Sequence, residues 1–341
     1  MHRKWIVFII LAAAGLTELP SPAQASCGSA SCPADTSSWG DRKAGDVELG
    51  YQFEYVEQDQ HQIGRHSAAF REIRGHHDEE FTVSRVHRLS ASAELTDRLG
   101  VDFKLPFVNR SHAHIHRHGG ADILESWDLS GLGDLAMTVR YDFWKPENRR
   151  LPTLTAIAGG EFPTGSYNEK NSDGDVAELG IQPGSHSTDF IVGLASRQMF
   201  QAKRLTGGTG PLPIFFSVIG QLNGKGTDDY RLGDTLQVTM GTSYPVFPKV
   251  GLLGQINFLL RGRDDKGSTR EEIQKTGGEF LYLSPGLEFR PNENWRIYGL
   301  AQIPVYQRVN LIQTVSDYNL LFGATYRFHN LLGSRRSKKP L

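Results

Sequence analysis

No stretch of this 341-residue chain approaches the roughly 20 consecutive apolar residues that a membrane-spanning helix needs. Helical membrane spans are therefore excluded. Only two cysteines occur, Cys27 and Cys32, too few for a disulfide-stapled fold. In an oxidising compartment they can form one local disulfide, or they are linker residues without a role. An excess of either charge is missing as well, since 37 Lys and Arg stand against 38 Asp and Glu. That balance leaves no electrostatic footprint for nucleic acid or for a strongly acidic partner. There is no Gly-x-Ser-x-Gly elbow, no phosphate-cradling glycine loop and no paired CxxC, so an enzyme has no motif to stand on.

What the chain does have is alternation. Leu281, Leu283, Leu287 and Phe289 share one parity, and Tyr282, Ser284 and Glu288 share the other. Phe322, Ala324, Tyr326 and Phe328 repeat the pattern against Thr325 and Arg327. Successive side chains of a strand point to opposite faces, so each such stretch has one greasy and one wet face. Thirty-seven Gly with 18 Phe, 11 Tyr and 5 Trp suit strands, tight turns and interfacial aromatic girdles. The beginning of the chain supplies a compartment. A basic Met1-His-Arg-Lys4, an apolar or small run from Trp5 to Leu16 and a small-x-small Ala23-Gln24-Ala25 predict a cleaved signal peptide over 1–25.

Alternation that recurs about a dozen times behind a secretory signal predicts an all-β fold, a closed antiparallel transmembrane β-barrel of the bacterial outer membrane. Twelve strands are expected: 46–57, one ending in 89–95, 99–108, 135–144, about 153–162, 188–199, 214–222, 235–246, 250–261, 278–290, 295–306 and 316–328. Long polar segments follow the odd-numbered strands (58–78, 109–133, 163–187, 223–234, 262–277, 309–315). Short ones follow most even-numbered strands (96–98, 145–152, 247–249, 291–294). That segregation is how bacterial barrels place long loops outside the cell and short turns in the periplasm. The expected organisation is a signal peptide (1–25), a periplasmic segment with the cysteine pair (26–44), the barrel (45–328) and a basic periplasmic tail (329–341). The segment 26–44 is long enough to fold into the lumen. Pro285 and Pro304 fall inside strands and predict bulges or bends, because proline cannot donate to the ladder. Arg85 and His87 fall on the lipid-facing parity and are expected above the bilayer.

Several segments resemble a known family. Leu281-Tyr-Leu-Ser-Pro-Gly-Leu-Glu-Phe289, Trp295-Arg-Ile-Tyr298, Gln302-Ile-Pro-Val-Tyr-Gln307 and Gly323-Ala-Thr-Tyr-Arg-Phe328 are similar to the closing strands of the phenol-degradation meta-pathway transporter-like barrels. Gly131-Leu-Gly-Asp134, Glu161-Phe-Pro-Thr-Gly165 and Gly180-Ile-Gln-Pro-Gly184 resemble the central segments of that family. The resemblance runs from about Asp46 to Phe328. It implies an outer-membrane barrel associated with uptake of aromatic or other small solutes, and leaves the solute open. Gly323-x-x-Tyr326-x-Phe328 also resembles the terminal-strand signal read by the barrel assembly machinery. Outer-membrane lipid, that machinery and a small-molecule solute are the expected partners.

Two sets of residues are candidates for a site. The inward parity collects Glu48, Gln52, Glu54, Asp102, Lys104, Arg140, Asp142, Gln255, Asn257, Arg296 and Gln302, a mixed-charge lumen suited to small polar or amphipathic solutes. Asp102, Lys104, Arg140 and Asp142 lie in opposite-sign pairs on strands expected to be neighbours. The second set is histidine, of which eight of 12 fall in the first two long loops: His61, His66, His76 and His77, then His112, His114, His116 and His118. In an extended segment the alternate spacing of the second group puts four imidazoles on one face. Imidazole is a good ligand for zinc or copper, and Asp78, Glu79 and Glu80 follow the first group closely. The competing reading is a polar, flexible loop without a ligand. No resident cofactor is expected beyond such a Zn or Cu ion. Leu132-Gly-Asp134 and Leu232-Gly-Asp234 read as turn punctuation before a strand, and Asn171-Ser-Asp-Gly-Asp175 as a loop tip. The functional classes are thus a passive solute channel, a metal-capturing surface protein and, with no specific support, an enzyme.

Overall fold

The computed structural model describes residues 43–74, 77–118, 121–148, 151–269 and 272–333. The expected signal peptide, most of the segment 26–44 with Cys27 and Cys32, His76, the His118 side chain and most of the expected tail lie outside the described residues. Twelve strands form the wall: β1 Val47–Gln58, β2 His77–Glu94, β3 Leu99–His118, β4 Leu135–Trp144, β5 Thr153–Phe162 and β6 Asp189–Lys203, then β7 Thr209–Leu222, β8 Thr235–Pro245, β9 Val250–Arg261, β10 Gly278–Phe289, β11 Trp295–Val309 and β12 Asn319–Phe328. Each pairs antiparallel with its sequence neighbours. The first and last also pair, with Val47 opposite Phe328, and this closes the ring. Closure leaves the spanning wall without an open edge, the condition a sheet must meet inside lipid.

The parity follows the alternation. Leu49, Tyr51, Val139, Tyr141, Leu287 and Phe322 point outward and are exposed, while Glu54, Gln255, Asn257 and Gln302 point inward with almost no exposure. At the short-turn end, Trp295 packs on Tyr326 (ring centroids 5.0 Å) and Tyr326 on Phe328 (4.6 Å), part of an aromatic girdle of the kind found at a bilayer interface. Pro304 sits at a register shift, where Leu281 pairs Tyr306 but Tyr282 pairs Pro304. At Pro285 the ladder to β11 lapses between the Leu283–Ile303 and Gly286–Leu300 pairs. Both prolines therefore interrupt the wall as expected.

The outer half departs from expectation. β2 and β3 are far longer than predicted, because the segment 109–133 is not a loop. Asn109 to His118 continues β3 and pairs with a further strand, Ala121–Leu132, while 77–88 continues β2. Part of 58–78 is likewise folded: Gln60–Ile63 pairs with His66–Ser67 and with Ile312–Val315 in a small separate sheet. The alternation runs on through 109–118, but the outward positions become polar. Beyond the Phe107–Leu132 pair, Asn109, Ser111, Ser130 and Asp128 take the places held lower down by Phe103 and Phe107. The lipid band ends there, and the β2–β3 extension stands above it. The strand edges of β6 and β7 also run longer than predicted, to Lys203 and from Thr209.

Candidate functional site

The inner wall combines ion-paired charges with an apolar cluster. On β2, β3 and β4, Arg140 donates from Nη2 to Glu94 Oε1 (2.8 Å) and Asp102 Oδ1 (3.1 Å), and from Nε to Asp102 Oδ2. Gly100 makes room for this trio, since a Cβ there would lie 2.7 Å from Arg140 Nη2. Beside it, Arg88 Nη1 pairs with Glu54 Oε2 at 2.7 Å. At the short-turn end Arg327 pairs with Glu48 at 2.8 Å, and Glu288 receives both Arg290 and Arg296. On the arc from β7 to β12 an apolar cluster interrupts the polar lining: Phe215, Leu253, Tyr298, Leu300 and Leu321 are buried and inward, with Gln255, Asn257 and Gln302 also inward on the same strands. Gly241 and Gly323 allow the two rings to lie against the wall, for a Cβ would meet Phe215 at 2.6 Å and Tyr298 at 2.3 Å.

Most predicted lumen residues are thus inward, several of them in ion pairs, and one detail changes. Lys104 has the inward parity yet remains exposed. Its place beside the carboxylates is taken by Arg140, which forks to Glu94 and Asp102. Asp142 accepts from Thr155 Oγ1 (2.7 Å) and faces Lys145 (3.7 Å). Gln52 accepts weakly from Tyr298 Oη at 3.4 Å.

At the long-loop end the third loop, 163–187, folds onto the β2–β3 extension. Asp134 organises the crossing, accepting Gly165 N (2.8 Å) on Oδ1 and both Ser185 N (2.6 Å) and Ser185 Oγ (2.7 Å) on Oδ2. Gly133, Gly165 and Gly184 meet there with no room for side chains, a Cβ on Gly165 lying 2.7 Å from Gly133 C and 2.8 Å from Gly184 Cα. The three central segments singled out in the sequence converge at this one point, and Asp134 is a loop anchor rather than turn punctuation. Asp234 does the same for the next loop through Asn223 N (2.9 Å) and Arg231. Arg110, fully buried, donates to Ile181 O and to Ser84 Oγ. Trp127 Nε1 donates to Asp175 O at 3.1 Å.

This loop carries Glu178 onto the histidines. His77 and His114 stack with ring centroids 4.6 Å apart, and Glu178 Oε1 hydrogen-bonds His77 Nδ1 and lies 4.0 Å from His114 Nδ1. His112 Nε2 is 3.1 Å from His114 Nδ1, and His112 Nδ1 is 2.8 Å from Thr82 Oγ1. Glu125 meets His114 Nε2 at 3.3 Å and His116 Nδ1 at 3.0 Å. Burial pushes His112 down to about 4 and His114 below its usual value, with the Glu178 carboxylate opposing both. Burial alone would raise Glu178, but the His77 hydrogen bond and the surrounding imidazoles outweigh it and hold the carboxyl at about 2. Near neutral pH the buried imidazoles are therefore neutral and Glu178 is ionised.

The flexible-loop reading of these histidines is overturned. His112, His114 and His116 are on a strand, His77 joins them through the His77–His116 register, and His61 and His66 sit apart on the small sheet. Glu178 and Glu125 carried no sequence signal of their own. A cavity of about 100 Å³ opens beneath, lined by His77, Glu79, Glu178, Arg261, Lys275 and others.

A family model described as "Putative MetA-pathway of phenol degradation" matches residues 73–328. The chain belongs to this family. No curated protein sequence matches it. Among solved structures, an outer membrane channel from Pseudomonas putida F1 superposes with a TM-score of 0.60 at 16% identity, over 86% of this chain and 100% of that one. That likeness shows the fold, a closed 12-stranded barrel of outer-membrane type. Weaker likenesses include the transport unit of the autotransporter AIDA-I from Escherichia coli (TM-score 0.48, 10% identity, 83% and 90% covered) and a Pseudomonas aeruginosa FadL homologue (TM-score 0.42, 10% identity, 92% and 99% covered).

Proposed function

We propose that this barrel is an outer-membrane channel that passes small solutes without an energy source, with aromatic or amphipathic acids as the favoured class. The observation that carries the reading is the ion-paired, largely polar inner wall with an apolar cluster set into it. Charges such as Glu54, Glu94, Asp102 and Arg140 would be costly in a dry interior, and each is compensated by a partner one or two strands away. Phe215, Tyr298 and Leu321 add an inward apolar cluster to this lining. A solute with a charged end and an apolar body matches both kinds of lining. A barrel needs apolar residues only on its lipid side, so lipid contact does not account for this arrangement. The family match and the fold shared with the Pseudomonas putida outer membrane channel support the same reading.

Passage implies that loop 163–187, which caps the mouth, moves aside for part of the time. The test is solute flux. Liposomes carrying the refolded protein should swell in benzoate, phenylacetate or amino acids faster than empty ones. Reversing charge in the trio by Arg140→Glu should change the preference between acids and amines. Tight liposomes at high protein density would overturn the channel reading.

A further inference from the structure

We propose that His77, His114 and Glu178 form a binding site for a divalent transition-metal ion, zinc being the probe, and that the bound ion fastens loop 163–187 to the barrel wall. One donor atom from each lies within 4.8 Å of the other two. Ligands on a tetrahedral zinc stand roughly 3.3 Å apart for bonds of about 2.0 Å. Side-chain shifts of up to about 1.5 Å therefore close the site. Two imidazoles and a carboxylate are a common zinc ligand set, and the third position of this one comes from a different part of the chain than the first two.

The surroundings prepare the donors. One assignment of neutral imidazoles readies the row for an ion. His112 Nδ1 donates to Thr82 Oγ1, His114 Nε2 to Glu125 Oε2, and His116 Nδ1 to Glu125 Oε1. In that assignment His112 Nε2 and His114 Nδ1 both keep their lone pairs, and His114 Nδ1 faces Glu178. Glu125 is the carboxylate behind a metal-binding imidazole, which fixes the tautomer and raises ligand basicity. His112 Nε2, 3.1 Å from His114 Nδ1, is at the spacing of a neighbouring ligand. Binding needs only that His77 carry its proton on Nε2 and turn Nδ1 to the ion. The cavity beside His77 and Glu178 holds room for a water to complete the coordination.

His77 and His114 are on β2 and β3, whereas Glu178 belongs to the loop that covers the mouth. An ion bound by all three ties the cap to the wall. The site stands independently of solute passage, so its test does not use flux. Refolded protein without a histidine tag, freed of metal by chelator, is titrated with zinc by calorimetry and with cobalt(II) by absorption. The expected result is one ion per chain with micromolar or tighter affinity, and the intense visible bands of tetrahedral cobalt. His114→Ala and Glu178→Gln should each weaken binding at least about tenfold, while His61→Ala and His66→Ala leave it unchanged. Circular dichroism checks that each variant keeps its barrel, and His77→Gln serves if His114→Ala does not. Zinc should slow hydrogen exchange across 163–187 in the parent and not in Glu178→Gln. Absence of stoichiometric binding, or equal affinity in Glu178→Gln, would overturn the site. Binding without protection of the loop would overturn the fastening.

Discussion

Replacing Arg140 by Met should destabilise the barrel by about 3 kcal/mol, because it leaves two carboxylates facing each other in a tight wall. Arg140 is 8% exposed, and its partners Asp102 and Glu94 are 9% and 11% exposed. Removing one partner from a buried ionic set costs about 3–5 kcal/mol, most of it the penalty of the charge left behind. The lower end applies here, since a lumen that admits some water screens the orphaned carboxylates. Two consequences follow from that origin of the cost. Asp102→Asn in the Arg140→Met background should restore at least about 1 kcal/mol, although Asp102→Asn alone is destabilising. Arg140→Lys should fall between parent and Met, because it keeps the charge but loses the fork that reaches Glu94 and Asp102 together. The assay is urea unfolding in phospholipid vesicles followed by tryptophan fluorescence, with the reverse reaction run to show equilibrium. A loss below about 1 kcal/mol for Arg140→Met, or no recovery in the double variant, would refute the reasoning. The trio would then be three separately hydrated side chains, not a packed wall.

Gly323→Val should displace Tyr298 from the wall and lower the unfolding midpoint, whereas Gly254→Val, where a Cβ meets nothing within 4 Å, should be nearly neutral; thermal unfolding in detergent separates them. Arg110→Ala removes the donor to Ile181 O and should raise hydrogen exchange in 163–187 while leaving exchange in β8 to β11 unchanged. With chelator present, the cap should loosen as pH falls. His112 titrates at about 4 in the closed state against an ordinary 6.5, so the open state binds the extra proton first. Closure then loses up to about 3 kcal/mol as pH drops from 6.5 to 4 and nothing further below that. Glu178, held at about 2 against 4.5, acts in the same direction lower down, its contribution being present above 4.5 and lost as pH falls towards 2. Exchange rates across 163–187 measured from pH 7 to pH 3.5 check the sign, and rates that fall with pH more steeply than exchange chemistry requires would contradict it.

The parity of the wall was legible because lipid and lumen impose opposite demands on alternate residues. A single inspection of Leu281 to Phe289 already separates the two faces. Strand number was legible for the same reason, and because loop lengths differ so strongly between the two ends. Strand length was not. Above the bilayer the outward face no longer has to be apolar, so 109–118 and 77–88 lose the greasy half of their pattern while keeping the backbone pairing. A reader of hydropathy therefore stops at Val108, and β3 runs on to His118.

That lost signal bears directly on the site. The alternate spacing of His112, His114 and His116 is a strand's spacing, and it places the imidazoles on the inward face where the row of hydrogen bonds forms. In a flexible loop the same residues would make no ordered row. Glu178 could not be reached this way, because it comes from a loop more than 60 residues further along and from the far side of β4 and β5. The clue lay instead in glycine and aspartate. Gly133-Asp134, Gly165 and Gly184 were each readable as turns, but a turn explains only one of them at a time. Their mutual contact, with Asp134 capping the amides of both Gly165 and Ser185, is what draws loop 163–187 across the mouth and delivers Glu178 to His77. Breaking that anchor should therefore act on the histidine cluster from a distance. Asp134→Ala leaves every imidazole in place on β2 and β3, yet it should loosen the loop and weaken zinc binding as Glu178→Gln does. Unchanged binding in Asp134→Ala would mean that Glu178 is held by the histidines alone.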